Sequence, residues 1–441
     1  MEQALPNLPQ SPNPIVVIAG AGFAGLKLAR TLRNKPYQVI LLDKNNYHQF
    51  QPLFYQVATA GLEPSAISFP LRKAFHDTPN VTFRMGGAKR IDQQQNRLYT
   101  DIGFIDYDYL VLAMGADTNY FGMENIMKNS IPMKSVSEAL FIRNKIISNY
   151  ERAITIADES KRKALMNVVI VGGGPTGVEL AGALAELRNK VFPKDYPQLN
   201  FDNMKVVLVE MGPSLLAGMS ATSGDKAKIY LEKLQVEVLL NTAVEDYDGL
   251  NVIIKGETRF QTHTLLWAAG IAPNFIEGVA ADQKAKGGRL LVDEFNRLHS
   301  SENIYVLGDG CLQVMEDYPK GHPQVAQVAI QQAKNLGNNF LAKLSSKPEK
   351  PFRYKDLGSM ATIGRKLAVV ELPFVKFQGL LAWLTWLFVH LMAILGVKNR
   401  IFIFLDWAWN YLSFDPSLRL LIKPTISRPQ DREKLVTKKI K

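Results

Sequence analysis

The chain has 441 residues, 47 % hydrophobic and 21 % charged, with 52 Lys and Arg against 41 Asp and Glu for a formal charge of +11. That length provides for two to four domains with cores of their own, and ordinary hydrophobicity with only 23 prolines excludes a largely disordered chain. A single cysteine, Cys311, excludes an internal disulfide framework, a cysteine-based zinc or iron–sulfur site, and dithiol redox chemistry within one chain.

In chain order, the opening MEQALPNLPQSPNP has no apolar export segment, so the body is expected to stay on the cytoplasmic side. The apolar run Ile15 to Ile18 then leads into Gly20-Ala-Gly22-Phe-Ala-Gly25, an amphipathic pattern, and QVILLD ending on Asp43. This order predicts strand, glycine turn, helix and strand around a dinucleotide. Gly20 allows the tight turn, Gly22 lets the backbone approach a pyrophosphate, and Gly25 permits close helix–strand packing. The helix N-terminus offers N–H groups to the phosphates, and Asp43 can accept hydrogen bonds from ribose hydroxyls. The segment YDYLVLAMGA (107–116) returns as an apolar strand closed by Gly115.

The pattern recurs in NVVIVGGGPTG (167–177), with Gly172, Gly174 and Gly177 in the same frame, and a strand, KVVLVE, ending on Glu210. Gly172 and Glu210 are 38 residues apart, against 23 between Gly20 and Asp43; the extra length lies in RNKVFPKDYPQLNFDNM. Glu210 is followed by Met211-Gly212-Pro213 with no nearby arginine for a 2′-phosphate, which favours NADH over NADPH. Further on, NIYVLGDG (303–310) is an apolar strand ending in Gly308-Asp309, where an acid can hold a ribityl or pyrophosphate oxygen. This assigns FAD to a discontinuous first domain (1–125 and 291–345) and NADH to an inserted one (126–290), with 346–441 as a C-terminal module. QVAQVAIQQAKNLGNNF reads as a helix that places Gln327 and Gln331 on one face, beside small Ala326 and Ala329. Spacing alone also fits a solvated face.

Phe377 to Val397 is an uncharged run of 21 residues between Lys376 and Lys398, followed by IFIFLDWAWNYLSF. From Arg419 to Lys441, eight basic residues face two acids, a local charge of +6 that holds more than half the excess. A basic tail behind Trp-rich apolar stretches points to a membrane rather than nucleic acid. One crossing would carry the basic segment outward, against the positive-inside tendency, so a monotopic helix pair at the cytoplasmic face of the inner membrane is favoured over a transmembrane span.

The glycine units and the Gly-Asp motif resemble the two-dinucleotide-domain flavoproteins of glutathione reductase-like fold. HQFQPLFYQVATAGLEP (48–64), LLWAAGIAP (265–273), AQVAIQ (326–331) and AWLTWLFVHL (382–391), with Trp407 and Trp409, resemble the type II NADH dehydrogenases, or alternative NADH:quinone oxidoreductases. The resemblance runs from about residue 14 to 425 in family order. It implies an α/β protein with two Rossmann-like domains and a C-terminal helical membrane-binding module. It also implies hydride transfer from NADH to FAD and two electrons onward to a membrane quinone, without proton pumping. FAD contacts would come from Gly20, Gly22, Phe23, Ala24, Gly25, Asp43, Lys44, His48, Ala88, Gly115, Gly308, Asp309, Ala326 and Gln327. NADH contacts would come from Gly172, Gly174, Gly177, Glu210, Ala269 and Gly270. Glu179 would lie near the nicotinamide–flavin contact, and Gln327 and Gln331 at the quinone pocket, the quinone arriving between the C-terminal helices and the AQVAIQ helix. Cys311 reads as a small buried hydrophobe. The apolar tail could also pair two copies. Removing residues after about 375 should spare NADH oxidation by a soluble acceptor but lose membrane binding. The rival reading is a membrane-tethered NADH-dependent flavoprotein reductase or redox sensor with another acceptor.

Overall fold

Runs of Ile, Val and Leu without polar alternation form strands that are buried on both faces, as parallel sheets require. The structure is a computed structural model, which describes residues 3–254, 259–299, 301–413 and 418–421. Its first sheet is parallel, in the order Ile304–Val306, Tyr109–Leu112, Ile15–Ala19, Gln38–Asp43 and Val81–Met85. Ile18 lies between Leu41 and Val111. The chain leaves this sheet after Leu112 and returns at Ile304, so the sheet is discontinuous in sequence, as expected. A second parallel sheet fills the gap, in the order Ile131–Pro132, Leu265–Trp267, Val168–Val171, Val206–Val209 and Glu237–Leu239. Ala116–Thr118 and Ile271–Pro273 pair antiparallel where the chain passes between the two units.

Each sheet has its glycine helix, Phe23–Thr31 in the first unit and Pro175–Lys190 in the second. The first packs against the long Ala326–Lys343 helix so closely that a Cβ on Gly337 would lie 2.6 Å from Thr31 Cγ2. The insertion after the second helix folds into an aromatic cluster, with Phe192 and Phe201 stacked at 5.9 Å and Tyr150 edge-on to both.

The C-terminal part begins with an antiparallel sheet of Ser359–Gly364, Leu367–Leu372 and Val375–Gln378. Its first strand lies directly on the second glycine helix: a Cβ on Gly182 would stand 1.5 Å from Ile363 O. The uncharged 377–397 run is not one helix. Its first residues complete a strand, Gly379 turns the chain at φ +81°, and the helix Leu380–Ala393 has only 14 residues. That is about 21 Å, short of the ~30 Å hydrocarbon core. The helix Val397–Ser413 follows, and no described helix is long and apolar enough to cross a membrane. Trp386, Ile394 and Ile403 belong to the same core as Ile170 and Leu208 of the second sheet. Cutting at 375 would therefore open that core, so truncation does not separate membrane binding from folding as the sequence suggested. Outward, Leu381, Leu384, Phe388 and Met392 form an exposed stripe, continued by Ile401, Phe404, Leu405, Trp409 and Leu412. Of the basic tail, residues 422–441 lie outside the described residues, while Arg419 is paired with Asp195 of the insertion.

Candidate functional site

The glycines of the two turns divide into two kinds. Gly20 adopts φ +104°, and a Cβ there would sit 2.3 Å from Ala113 O; one on Gly25 would sit 1.8 Å from Gly20 O. In the second turn Gly172 has φ +112°, and a Cβ on Gly177 would be 1.9 Å from Gly172 O. These four are required by the chain's own backbone. At the middle positions, Gly22 and Gly174, an added Cβ would meet nothing within 4 Å. Space is thus kept free where the helix N–H groups emerge, which fits an anion such as a pyrophosphate. Both turns present this cradle.

The strand-end acids brace these turns. Asp43 accepts from Ala21 N at 2.7 Å and Asn45 N at 2.8 Å; burial nevertheless pushes its carboxyl up. Glu210 accepts from Gly173 N at 2.5 Å and Gly212 N at 2.6 Å. Each carboxylate has further lone pairs for a ribose. His48 is buried behind the first turn, with Nδ1 3.0 Å from Ala21 O and Phe23 edge-on at 5.5 Å. Burial lowers its pKa, keeping the ring neutral. Lys44 is exposed, and Ala88 opens the strand Ala88–Asp92.

Three small residues from separate elements meet at the Gly-Asp turn. A Cβ on Gly308, at φ +70°, would be 3.3 Å from the Ala329 methyl and 4.0 Å from that of Ala24. Burial raises the Asp309 pKa, opposed by Lys134 and Arg289. Gln332, which sequence reasoning passed over, is the amide that binds this turn: its Oε1 accepts from Gly308 N at 2.8 Å and its Nε2 faces Cys311 Sγ at 3.4 Å. The signal was present, since Gln332 interrupts the apolar stripe of Ala329, Ala333 and Leu336. Gln327 and Gln331 instead clamp the segment leading to the C-terminal sheet. Gln327 donates to Gly358 O at 2.7 Å and accepts from Leu357 N, and Gln331 donates to and accepts from Lys355. Ala326 is the first residue of the same helix. Cys311 is buried, and burial pushes its thiol up to about 11. Gly115 and Gly270 hold φ of +67° and +84° at opposite ends of the crossing between the units, with Ala269 beside the latter.

Glu179 lies in the second glycine helix at 8 % exposure, its Oε1 facing Thr362 N at 3.4 Å. Burial pushes its carboxyl up to about 8. The Trp386 indole N–H is near enough to favour the carboxylate without reaching hydrogen-bonding geometry. Glu179 lines a cavity of about 260 Å³ with Tyr55, Glu186, Arg365, Trp386 and Tyr411, bounded by the second glycine helix, the C-terminal sheet and the two last helices. Gln56 accepts from Trp407 Nε1 at 2.8 Å, tying the Phe54–Ala58 helix to the last one. A line of rings joins the first glycine turn to these helices: Phe23 to Phe50 at 5.9 Å, Phe50 to His390 at 6.3 Å, and His390 stacked on Trp386 at 4.0 Å. Among the described residues, no cluster of His, Cys, Asp and Glu could hold a metal.

A family model described as pyridine nucleotide-disulphide oxidoreductase matches residues 14–333, and one for the NDH2 C-terminal domain matches 357–413. The chain is 33 % identical to the type II NADH:quinone oxidoreductase Ndh of Mycobacterium tuberculosis, over 90 % of this chain and 88 % of that protein. It is 28 % identical to the internal alternative NAD(P)H-ubiquinone oxidoreductase A1 of Arabidopsis thaliana, over 90 % and 84 %. In fold it is similar to NDH2 of Plasmodium falciparum, solved in complex with NADH. That match has TM-score 0.85 and 23 % identity, and it covers 93 % of this chain and 100 % of that one.

Proposed function

The chain belongs to the type II NADH:quinone oxidoreductase family, and from that premise we propose how its own residues carry the reaction. It oxidises NADH with FAD as cofactor and a quinone as acceptor. The observation that carries the assignment of roles is the pair of open cradles, one on each parallel sheet of the same chain. In this reading the first turn, with Gly22, Phe23, Ala24 and Asp43, holds FAD, together with Gly308 and Asp309 at the end of the returning strand. The second turn, with Gly174 and Glu210, holds NADH. Bound there, FAD would supply the two-electron chemistry that links NADH oxidation to quinone reduction.

The protein's part is position, solvent exclusion and a proton. Ala24, Gly308 and Ala329 are small where a planar ring must approach the backbone. Gln332 holds the Gly-Asp turn in place through Gly308 N. Gln327 and Gln331 act by clamping 355–358 to their helix, on the face away from Ala329, with their amides engaged there. Glu179, whose carboxyl burial pushes up to about 8, gives a proton to the quinone in this reading. The quinone approaches through the cavity lined by Trp386 and Tyr411, from an apolar surface that rests on the cytoplasmic leaflet. The exposed stripe from Leu381 to Leu412 supports that placement.

Paired substitutions test which turn serves which cofactor. Gly174→Ala fills only free space, so the protein should fold and retain flavin while its KM for NADH rises about 10-fold or more, one bulky atom at a backbone–phosphate contact costing ~1–2 kcal/mol. Gly22→Ala should fold but purify with less flavin. Loss of flavin from Gly174→Ala with normal content in Gly22→Ala would reverse the assignment.

A further inference from the structure

The overall reaction, NADH + H⁺ + quinone → NAD⁺ + quinol, takes up one proton from solvent per turnover. The donor beside the reacting groups must therefore be recharged. Glu179 is only 8 % exposed and lies on the wall of the cavity, so its recharging runs through that cavity. Seven residues further along the same helix, two turns and about 10 Å of rise on the same face, stands Glu186. It lines the same cavity as Glu179. Asn189 and Lys190 line that cavity too and are exposed, so its Glu186 end is the end that meets solvent. At about 260 Å³ the whole cavity has room for waters, each needing roughly 30 Å³ at liquid density, in the part on the Glu186 side that a quinone beside Trp386 leaves free. Polar partners for such waters are on its wall: the Tyr55 hydroxyl, Gln56, Thr362 and Asn410.

We propose that Glu186 is the proton-uptake residue of this enzyme, taking a proton at the Lys190 end of the cavity and passing it through cavity water to Glu179. The step moves only a proton; Glu186 begins and ends each turnover in the same state. It rests on the reading that quinone is reduced beside Glu179. The geometry holds Glu186 in place for this. Its Oε1 accepts from the Arg365 N–H at 2.6 Å, at the turn of the C-terminal hairpin. Arg365 in turn lies over the Tyr411 ring at 4.1 Å and donates to Tyr411 O, which anchors the hairpin to the last helix. The charged and titratable groups facing Glu186 are Lys190 on its own helix, Arg365 on the hairpin, Tyr55 on the Phe54–Ala58 helix and Tyr411 on the last helix. Burial raises the Glu186 pKa, while the Arg365 N–H and the charges of Arg365 and Lys190 oppose that.

The test compares full-length wild-type protein, E186Q and E186D in quinone-dependent NADH oxidation across pH, in ordinary and deuterated water, with infrared difference spectra of the carboxyl region. Glu179→Gln is measured alongside: quinone turnover and a pH profile like the wild type's in that variant would mean that the underlying reading fails, whatever the Glu186 variants do. E186Q should lower kcat about 10-fold above neutral pH with little change in the KM for NADH, enlarge the solvent isotope effect, and remove a protonated-carboxyl band. E186D, which keeps the acid, should recover most of the rate even if its stability falls. A pH profile and isotope effect in E186Q matching the wild type, or a deficit in E186D equal to that in E186Q, would overturn the proposal.

Discussion

At the scale of single residues, the site is built from acids whose surroundings set their charge. Glu179 has its folded pKa near 8, above the ordinary 4.5, because burial disfavours the anion. The folded chain therefore holds this proton more tightly than the unfolded chain. Its contribution favours the native state below about pH 4.5 and is lost as pH rises through about 8. Glu179→Gln should flatten that part of the stability-versus-pH curve in thermal melts. The same substitution should lower quinone-dependent kcat by roughly 10²-fold and abolish an alkaline limb near the Glu179 pKa. An alkaline limb unchanged in the variant would assign it to another group. Asp43 and Glu210 were legible from their strand-end positions. That their first bonds go to turn N–H groups was not, because the sequence shows residue order and not the direction in which a side chain leaves the strand.

Between elements, the decisive contact is the C-terminal hairpin on the second glycine helix. Gly182 has no room for a methyl group against Ile363 O. Gly182→Ala should push the hairpin away, costing ~1–3 kcal/mol. Calorimetry would show the lower Tm, and quinone-dependent activity should fall more than NADH oxidation by a soluble acceptor. An unchanged Tm would mean that the helix and hairpin are not in this close contact. Both glycine turns, the strands beside them and the Ala326–Lys343 helix could be read from apolar runs and glycine spacing, whereas the edge strands Val81–Met85, Ile131–Pro132 and Glu237–Leu239 could not. The break of the 377–397 run into strand and helix could not. Its composition is uniformly apolar, and the turn depends on the conformation of Gly379 and on strand pairing with Leu367–Leu372. Gln332 was missed for the opposite reason: its neighbours Gln327 and Gln331 matched a motif, while its burial depends on where the Gly-Asp turn lies.

For the whole molecule, the apolar surface of the last two helices is continuous with the core that supports Glu179. Leu384 and Phe404 are exposed on that surface, at 48 % and 57 %. Leu384→Glu and Phe404→Glu should leave the fold intact while releasing the protein from vesicles containing anionic lipid in a flotation assay. Retained flotation by the double variant would place lipid binding elsewhere. More than half of the +11 charge lies from Arg419 onward, and Arg419 itself is already engaged by Asp195. The most direct test of the chain's role as a relay from NADH to quinone is anaerobic stopped-flow spectroscopy of the purified protein, adding NADH and then a quinone analogue, with NADPH in parallel. NADH should bleach the flavin within one mixing experiment, quinone should restore its colour over repeated cycles, and NADPH should react far more slowly. Flavin that stays bleached in the presence of quinone, or that NADPH bleaches as fast as NADH, would contradict it.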